Sequence, residues 1–583
     1  MKRMICIFLV VFLLCQGIPA LAAVEEGPVY YNNDTYATLH SYKNASGVVE
    51  VLSHYNGVPV TVIDEYAFSK NTKVEKVILP DTITKIGYEA FAYCTALKEI
   101  HLPESATDIG ESLFYGCTSL ERATLPPLVE ILPTALFKGC KNLKEVTLPV
   151  SVEKFVSNSI FNGCASLTRV ELPQGMDKIP NGMFCGCNSL KEITLPDSVA
   201  SIRVEAFASC QSLEKIEFPE GLRYISGSAF RGCISLKEIA FPPTFESIWD
   251  NAFAGCTALT TVYWPKALAR LGDSAFENCV SLKNLPNSTE LKGIGERAFK
   301  NCSSLKQIPY FLGLEVIGES AFEECLGLTR VDLPETLVEL GNRAFALCYG
   351  LETLYAHGTI TKVGKDVLRG TAYGNNPLNW KNHGLYWGTV LMDLEKMTAK
   401  IYEPIKGTTV IAGGVFGETQ NVTTLIIPDG VTFLNEGAVD GCNTLKTLVL
   451  GKDVVVRGEI IKNCTSLKTV YWEQEAETLA EGYWNLRNYR TPFQVVGNGQ
   501  GVVYGWVKNT PTISYLDVNA LTLGDPNADG EINAKDALLM LKAAVEKIVP
   551  YGKQAEVLDL NQDTNIDARD ALAALKIAVA TAR

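Results

Sequence analysis

The chain of 583 residues carries 65 acidic side chains against 52 Lys and Arg, and 47 % of it is hydrophobic, which supplies a large folded core and excludes a disordered or collagen-like chain. Its formal net charge of −13 argues against a nucleic acid or an anionic membrane as partner, because both are held by Lys and Arg clusters that displace counterions. The first predicted element is a leader. Lys2 and Arg3 precede an apolar run from Ile5 to Leu14, and Gly17 and Pro19 loosen the chain before Ala20-Leu21-Ala22, the pattern of a secretory signal peptide over residues 1–22. Leu14 stands where a lipid-attachment site wants a small residue before Cys15, which disfavours a lipoprotein. No later stretch reaches the ~18–20 unbroken apolar residues of a spanning helix. The mature protein is therefore expected to be extracellular, without a membrane span.

Residues 23–62 are expected to cap a repeat array over residues 63–369. Cysteines recur at Cys94, Cys117, Cys140, Cys164 and onward to Cys348, every spacing 23 residues except one of 24, and a Phe stands three residues before each. One unit reads Ile86-Gly87-Tyr88-Glu89-Ala90-Phe91-Ala92-Tyr93-Cys94-Thr95-Ala96-Leu97-Lys98-Glu99-Ile100-His101-Leu102-Pro103. It predicts a short turn of helix around Ala-Phe, then a strand alternating through Leu97, Ile100 and Leu102. A single unit has too little apolar surface to fold alone, whereas stacked coils share one core, so the fold class is an α/β repeat solenoid with a parallel sheet. Pro103, Pro126, Pro149 and their equivalents stop each strand at the same height.

These residues resemble the 23-residue bacterial leucine-rich repeat of the BspA-like class, I-G-x-x-A-F-x-x-C-x-x-L-x-x-I-x-L-P, over about Val58 to Trp472. The match degrades near its end, where Val415-Phe416, Cys442 and Cys464 mark degenerate repeats over residues 407–473. Between the two stretches, residues 370–406 break the period with Tyr373, Trp380, Tyr386 and Trp387, which looks like the aromatic hairpin insertion common in such arrays. Residues 474–516 remain as a C-terminal cap and linker.

The cysteine column has two readings. Coils stacked ~4.8 Å apart bring successive Cα atoms within disulfide range, but parallel Cβ vectors disfavour a bridge. Buried free thiols under a Phe stack are expected instead. Cys185 lies outside the column, and Cys185-x-Cys187 is too slight for a metal site, so Cys185 reads as a solitary surface or half-buried thiol.

On the outward sheet face, the residue five after each Cys alternates in sign: Glu99, Arg122, Glu145, Arg169, Glu192, Lys215, Glu238. The preceding column, Lys98, Glu121, Lys144, Thr168, Lys191, Glu214, Lys237, is nearly its mirror image. Such a face neutralises itself and penalises a slip by one repeat, which would set like charges opposite. The same face is also the usual ligand surface of a solenoid. The row two columns on, from Ile78 and His101 to Tyr263, is polar and mixed, without the regular aromatic platforms of a sugar-stacking surface, so protein and glycan both stay open as its ligand.

The 5 His are scattered, with no H-E-x-x-H and no G-K-[ST]. Gly-x-Ser at Gly110, Gly272 and Gly318 lacks the second Gly of a nucleophile elbow. No catalytic residue is assigned. A paired-carboxylate glycosidase site needs only proximity in space and is the alternative.

The C-terminal segment carries the sharpest motif. Asp525, Asn527, Asp529, Asn533 and Asp536 occupy positions 1, 3, 5, 9 and 12 of a twelve-residue loop with Gly530 at position 6, the spacing of a calcium loop to which the Glu531 carbonyl adds a further oxygen. A helix is expected over residues 537–548. The pattern recurs 34 residues later as Asp559, Asn561, Asp563, Asn565, Asp567 and Asp570, leading into a helix over residues 571–580. Thr564 replaces the Gly of the first loop, and a β-branched residue there predicts a strained or weaker second site. Two Ca²⁺ ions are the predicted cofactors.

With one helix per loop rather than two, residues 517–583 resemble the type I dockerin, a small all-α calcium-binding domain. That resemblance implies a cohesin module of a scaffoldin as partner, contacted by Ala534, Lys535 and Lys542 and by their duplicates Ala568, Arg569 and Lys576, so that either half can dock. Together the resemblances imply a secreted, non-catalytic leucine-rich-repeat binding or structural protein. It would be docked through the dockerin onto a scaffoldin at the cell surface, in a polysaccharide-degrading, cellulosome-type complex. A carbohydrate-active enzyme and a surface adhesin displayed through the dockerin are the alternatives; an adhesin anchored directly is disfavoured by the lack of an anchor segment after the last helix.

Overall fold

The computed structural model describes residues 27–149, 151–152, 158–417, 419–456 and 460–472, then the strands Phe493–Gly497, Gln500–Val507 and Thr510–Leu516. The repeats wind into a parallel-sheet solenoid of about 18 turns. Each regular coil contributes a three-residue strand, such as Glu99–His101, Arg122–Thr124 and Glu145–Thr147, paired in parallel with its neighbour one repeat away. The middle residue is buried and its two neighbours face solvent, as alternation on a half-buried strand requires.

A second parallel sheet comes from two-residue strands such as Lys85–Ile86 and Asp108–Ile109. Its longest run has nine strands, from Lys178–Ile179 to Lys362–Val363. The Pro that ends the first strand also opens the turn into the second: the Ala106 N–H donates to the Pro103 carbonyl at 3.0 Å, and Leu222 to Pro219 likewise.

Around each Phe, where the sequence predicts a short turn of helix, the backbone runs as consecutive turns. Glu89 and Tyr93 flank Phe91 with φ of 50° and 59°, and Ser112 and Gly116 flank Phe114 with 56° and 70°. Two left-handed residues per coil interrupt any helix. The N–H groups then alternate in direction. Those of Ala90, Ala92 and Cys94 close turns within the coil onto Gly87, Glu89 and Phe91, while those of Glu89, Phe91 and Tyr93 cross to the carbonyls of Glu111, Leu113 and Tyr115 in the next coil. No donor in this stretch is left unpaired, which is how a non-helical segment tolerates burial. Helix among the described residues is confined to Ala372–Asn375 and a 3-10 turn at Pro377–Asn379.

The core is a column of stacked rings from Phe68 to Phe345. Phe91 and Phe114 lie 5.7 Å apart at 20°, Phe230 and Phe253 5.1 Å at 2°, and Phe322 and Phe345 5.5 Å at 5°. Beside it runs the thiol column, and its cysteines are free and buried. Each Sγ donates to the Phe carbonyl of the preceding coil, as Cys210 does to Phe184 O at 3.1 Å and Cys233 to Phe207 O at 3.1 Å. The Phe184 carbonyl also accepts the Cys187 N–H at 3.0 Å, so its two lone pairs serve two coils. Burial pushes the thiols of Cys187, Cys210 and Cys233 well above the ordinary range, which keeps them protonated as donors and chemically quiet.

Close approach of the coils explains the repeated Gly. A Cβ on Gly295 would lie 2.5 Å from the Gly272 carbonyl carbon and 2.7 Å from Asp273 N.

After the regular coils, Trp380–Lys381, Gly384–Trp387 and Val390–Leu394 pair antiparallel in turn, and Val390–Leu394 rejoins the solenoid in parallel with Val410–Ile411. The aromatic side chains here are structural. Trp387 Nε1 donates to Leu354 O at 2.9 Å, Tyr373 OH donates to Tyr386 O at 3.0 Å, and Tyr386 OH accepts from Ile405 N at 3.0 Å. Beyond the last coil, Phe493–Gly497 pairs in parallel with Thr469–Trp472, and Gln500–Val507 and Thr510–Leu516 follow antiparallel. The sheet is thereby extended past the repeats.

Candidate functional site

The three-residue strands line up their outward side chains in two charged columns. Arg122 stands in register between Glu99 and Glu145, and Glu145 lies beside Arg169. Direct ion pairs run from coil to coil within columns: Lys76–Glu99 at 2.6 Å, Lys98–Glu75 at 2.7 Å, Lys144–Glu121 at 2.8 Å and Lys237–Glu214 at 2.6 Å. Hydrogen bonds from Lys76, Lys144 and Lys237 hold the carboxyls of Glu99, Glu121 and Glu214 below the ordinary range, and the Glu75 carboxylate raises Lys98. Lys215 turns instead to Glu217 in its own strand at 2.6 Å. The alternation thus sets register, as its spacing implies, while each exposed pair adds little to stability.

A different electrostatic arrangement sits just after the Phe of a later coil. The Glu323 side chain is only 3 % exposed, and Lys300 from the preceding coil reaches it at 3.2 Å while Arg343 from the next coil also bonds it. Burial alone raises this carboxyl, but hydrogen bonds from Arg343, Ser320 and Lys300 outweigh it and hold the group down at about 2. Sequence reasoning missed this triad. Its trace was Lys300 and Glu323 one repeat apart in the same column.

Where the regular coils meet the degenerate repeats, a groove of about 1240 Å³ follows the glycine column, lined by Asp273, Glu296, Glu319, Glu339 and Lys362 among others. Asp273 Oδ1 accepts the Glu296 N–H at 2.8 Å, and Asn342 Oδ1 accepts that of Lys365 at 2.8 Å, so these side chains tie coil to coil. The histidines remain scattered, with His40 on Asp64 and His383 on Glu395, each at 2.7 Å and exposed. Cys185 is half-buried. Among the described residues no group of three or more His, Cys, Asp or Glu could hold a metal, and no helix is long and apolar enough to cross a membrane.

The predicted calcium ligands, Asp525 to Asp536 and Asp559 to Asp570, lie outside the described residues, as do the predicted cohesin-contact residues and the expected leader. Their donor chemistry fits the ion. Carboxylates, side-chain amides and a carbonyl are all hard oxygen donors, in numbers that meet the six to eight that Ca²⁺ takes.

The comparisons bear on both parts of the chain. The family model of the BspA type leucine rich repeat region matches residues 61–159, 154–283, 270–376 and 398–490, and that of the dockerin type I domain matches residues 523–576. Among solved structures, a leucine-rich repeat protein from Bacteroides ovatus ATCC 8483 is similar at a TM-score of 0.54 and 28 % identity, over 70 % of this chain and 95 % of that one. A leucine rich cell surface protein from Faecalibacterium prausnitzii A2-165 matches at a TM-score of 0.39 and 25 % identity, over 57 % of this chain and 96 % of that one. A leucine-rich repeat protein from Eubacterium ventriosum ATCC 27560 matches at 0.37 and 18 %, over 60 % and 94 %. Among curated proteins, none matches. The matched repeat family and the similar Bacteroides ovatus structure are leucine-rich repeat proteins rather than enzymes, and type I dockerins bind calcium. The chain belongs to the BspA-type leucine-rich repeat family and carries a type I dockerin domain near its C-terminus.

Proposed function

We propose that this protein is a secreted, non-catalytic binding or structural component that docks through its C-terminal domain onto the cohesin module of a scaffoldin, within a polysaccharide-degrading assembly of the cellulosome type. The observation that carries this reading is the pair of twelve-residue loops, each with oxygen-bearing residues in calcium-ligand positions, inside the matched dockerin segment. Asp525, Asn527, Asp529, Asn533, Asp536 and the Glu531 carbonyl would hold one ion; Asp559, Asn561, Asp563, Asn565, Asp567 and Asp570 would hold the other. Calcium supplies a charge centre around which loop and helix order themselves, and a segment of this size has too small a core to fold well without it. Ala534, Lys535 and Lys542 would face the cohesin, or Ala568, Arg569 and Lys576 in the alternative orientation.

The full chain titrated by calorimetry against a panel of type I cohesin modules tests this. Tight binding to at least one module in calcium, lost in excess EDTA, is expected. Lys535→Glu or Arg569→Glu alone should leave one orientation intact, and the double variant should abolish docking. Binding that persists in chelator, or no binding across the panel, contradicts the reading.

A further inference from the structure

The self-neutralising face lapses at one place. In the column that runs Glu75, Lys98, Glu121, Lys144, Thr168, Lys191, Glu214, Lys237, Thr260, the next two residues are Lys283 and Lys306. The Lys306 N–H donates to the Lys283 carbonyl at 3.0 Å, as Lys283 N–H does to Thr260 O at 3.3 Å, so the two lysines occupy adjacent coils. This is the one adjacency of like charges in the two columns from Glu75 to Thr353. The companion column offers no relief, because it reads Thr261, Asn284 and Gln307 here. Neither Lys283 nor Lys306 takes part in any of the ion pairs among the described residues. Beyond them Arg330 holds Asp332 at 3.0 Å, and Glu352 follows Thr329 two coils further on. By the rule that stabilises the rest of the face, this juxtaposition is unfavourable.

The sheet is also interrupted at the same coils. The strand Thr261–Tyr263 ends one sheet and Arg330–Leu333 begins another, because Pro286 and Pro309 come two residues earlier than Pro265 does in its coil. Around the interruption the side chains turn aromatic. Tyr263 is 57 % exposed, Tyr355 is exposed beneath the Arg330 guanidinium at 4.8 Å, and Tyr310 meets His357 edge-on at 5.6 Å.

We propose that this patch binds an acidic polysaccharide, one whose sugar rings carry carboxylates. Charge complementarity selects an anion for Lys283 and Lys306, on a protein whose net charge is otherwise negative. The exposed ring of Tyr263 suits the C–H face of a pyranose, which an aromatic quadrupole attracts,. A peptide strand is the poorer occupant, since Pro286 and Pro309 remove backbone donors where it would add to the sheet. The inference does not depend on the dockerin.

Affinity electrophoresis and calorimetry of the full chain with polygalacturonate test it, with a neutral glucan and a poly-glutamate peptide as comparison probes. Polygalacturonate should bind alone among the three, and bind more weakly as salt rises from about 50 to 300 mM. Lys283→Glu restores the alternation, so binding should fall about tenfold while the thermal midpoint stays unchanged or rises. A midpoint that does not fall separates the effect from misfolding. Tyr263→Ala should weaken binding as well. Equal binding of the neutral glucan, preference for the peptide, absence of polygalacturonate binding, or an unaltered affinity in Lys283→Glu would each overturn the proposal.

Discussion

Truncating one thiol of the column tests what the cysteines are for. Cys210 has no exposed surface, and its Sγ donates to a carbonyl that already accepts the Cys187 N–H. Cys210→Ala therefore removes a weak donor without orphaning its acceptor. The loss reduces to the sulfur's contacts and the small void left behind, about 1–2 kcal/mol. Cys210→Ser should cost more than Ala. Its shorter C–O bond sets the hydroxyl farther from Phe184 O, and a poorly bonded buried hydroxyl adds about 1–3 kcal/mol. Urea titration followed by circular dichroism, on oxidised and reduced samples, measures both variants and the parent. The expected order of stability is parent, Ala, Ser, with no effect of reductant on the parent. A serine variant as stable as the parent, or a parent that reductant destabilises, would refute the packed-thiol account.

A thiol reagent applied to the folded protein should label Cys185, the half-buried cysteine, and reach the column only after denaturation, as mass mapping of the labelled peptides would show; rapid labelling of column cysteines contradicts the burial described above. Glu323→Gln should destabilise by about 2 kcal/mol near neutral pH, less than a fully buried pair because Lys300 and Arg343 stay about a third exposed,. The Glu323 carboxyl is lowered from 4.5 to about 2, so its contribution is complete above the unfolded value and is lost as pH falls toward about 2. Parent and variant should accordingly converge in acid, and a difference that grows on acidification contradicts the pairing.

The period, the Phe stack and the free thiols were legible because each recurs in register: one apolar column per coil leaves little choice of fold. The alternating charges were legible for the same reason, and strands such as Arg122–Thr124 carry them in the expected register. What escaped was set by backbone conformation. Tyr93, Ser112 and Ala135 adopt positive φ although none is a glycine, so Ala-Phe reads as helix while the coil demands turns. The second sheet escaped because its strands are two residues long, too short for any alternation to register. The aromatics of the insertion read as a hairpin, and its strands do pair antiparallel; that Tyr386 and Trp387 are buried there was not legible from the sequence. The Lys283–Lys306 lapse was present in the sequence, but it stands out only once the coils on either side are seen to pair.

The most direct test of the account as a whole is a calcium titration of the full chain by calorimetry, repeated with Asp529→Ala and Asp563→Ala. The account predicts two ions per chain, one lost with each substitution, while the unfolding transition of the repeats stays where it was. Absence of calcium uptake, or binding that both substitutions leave intact, would contradict the claim that these loops make the chain a calcium-dependent docking component.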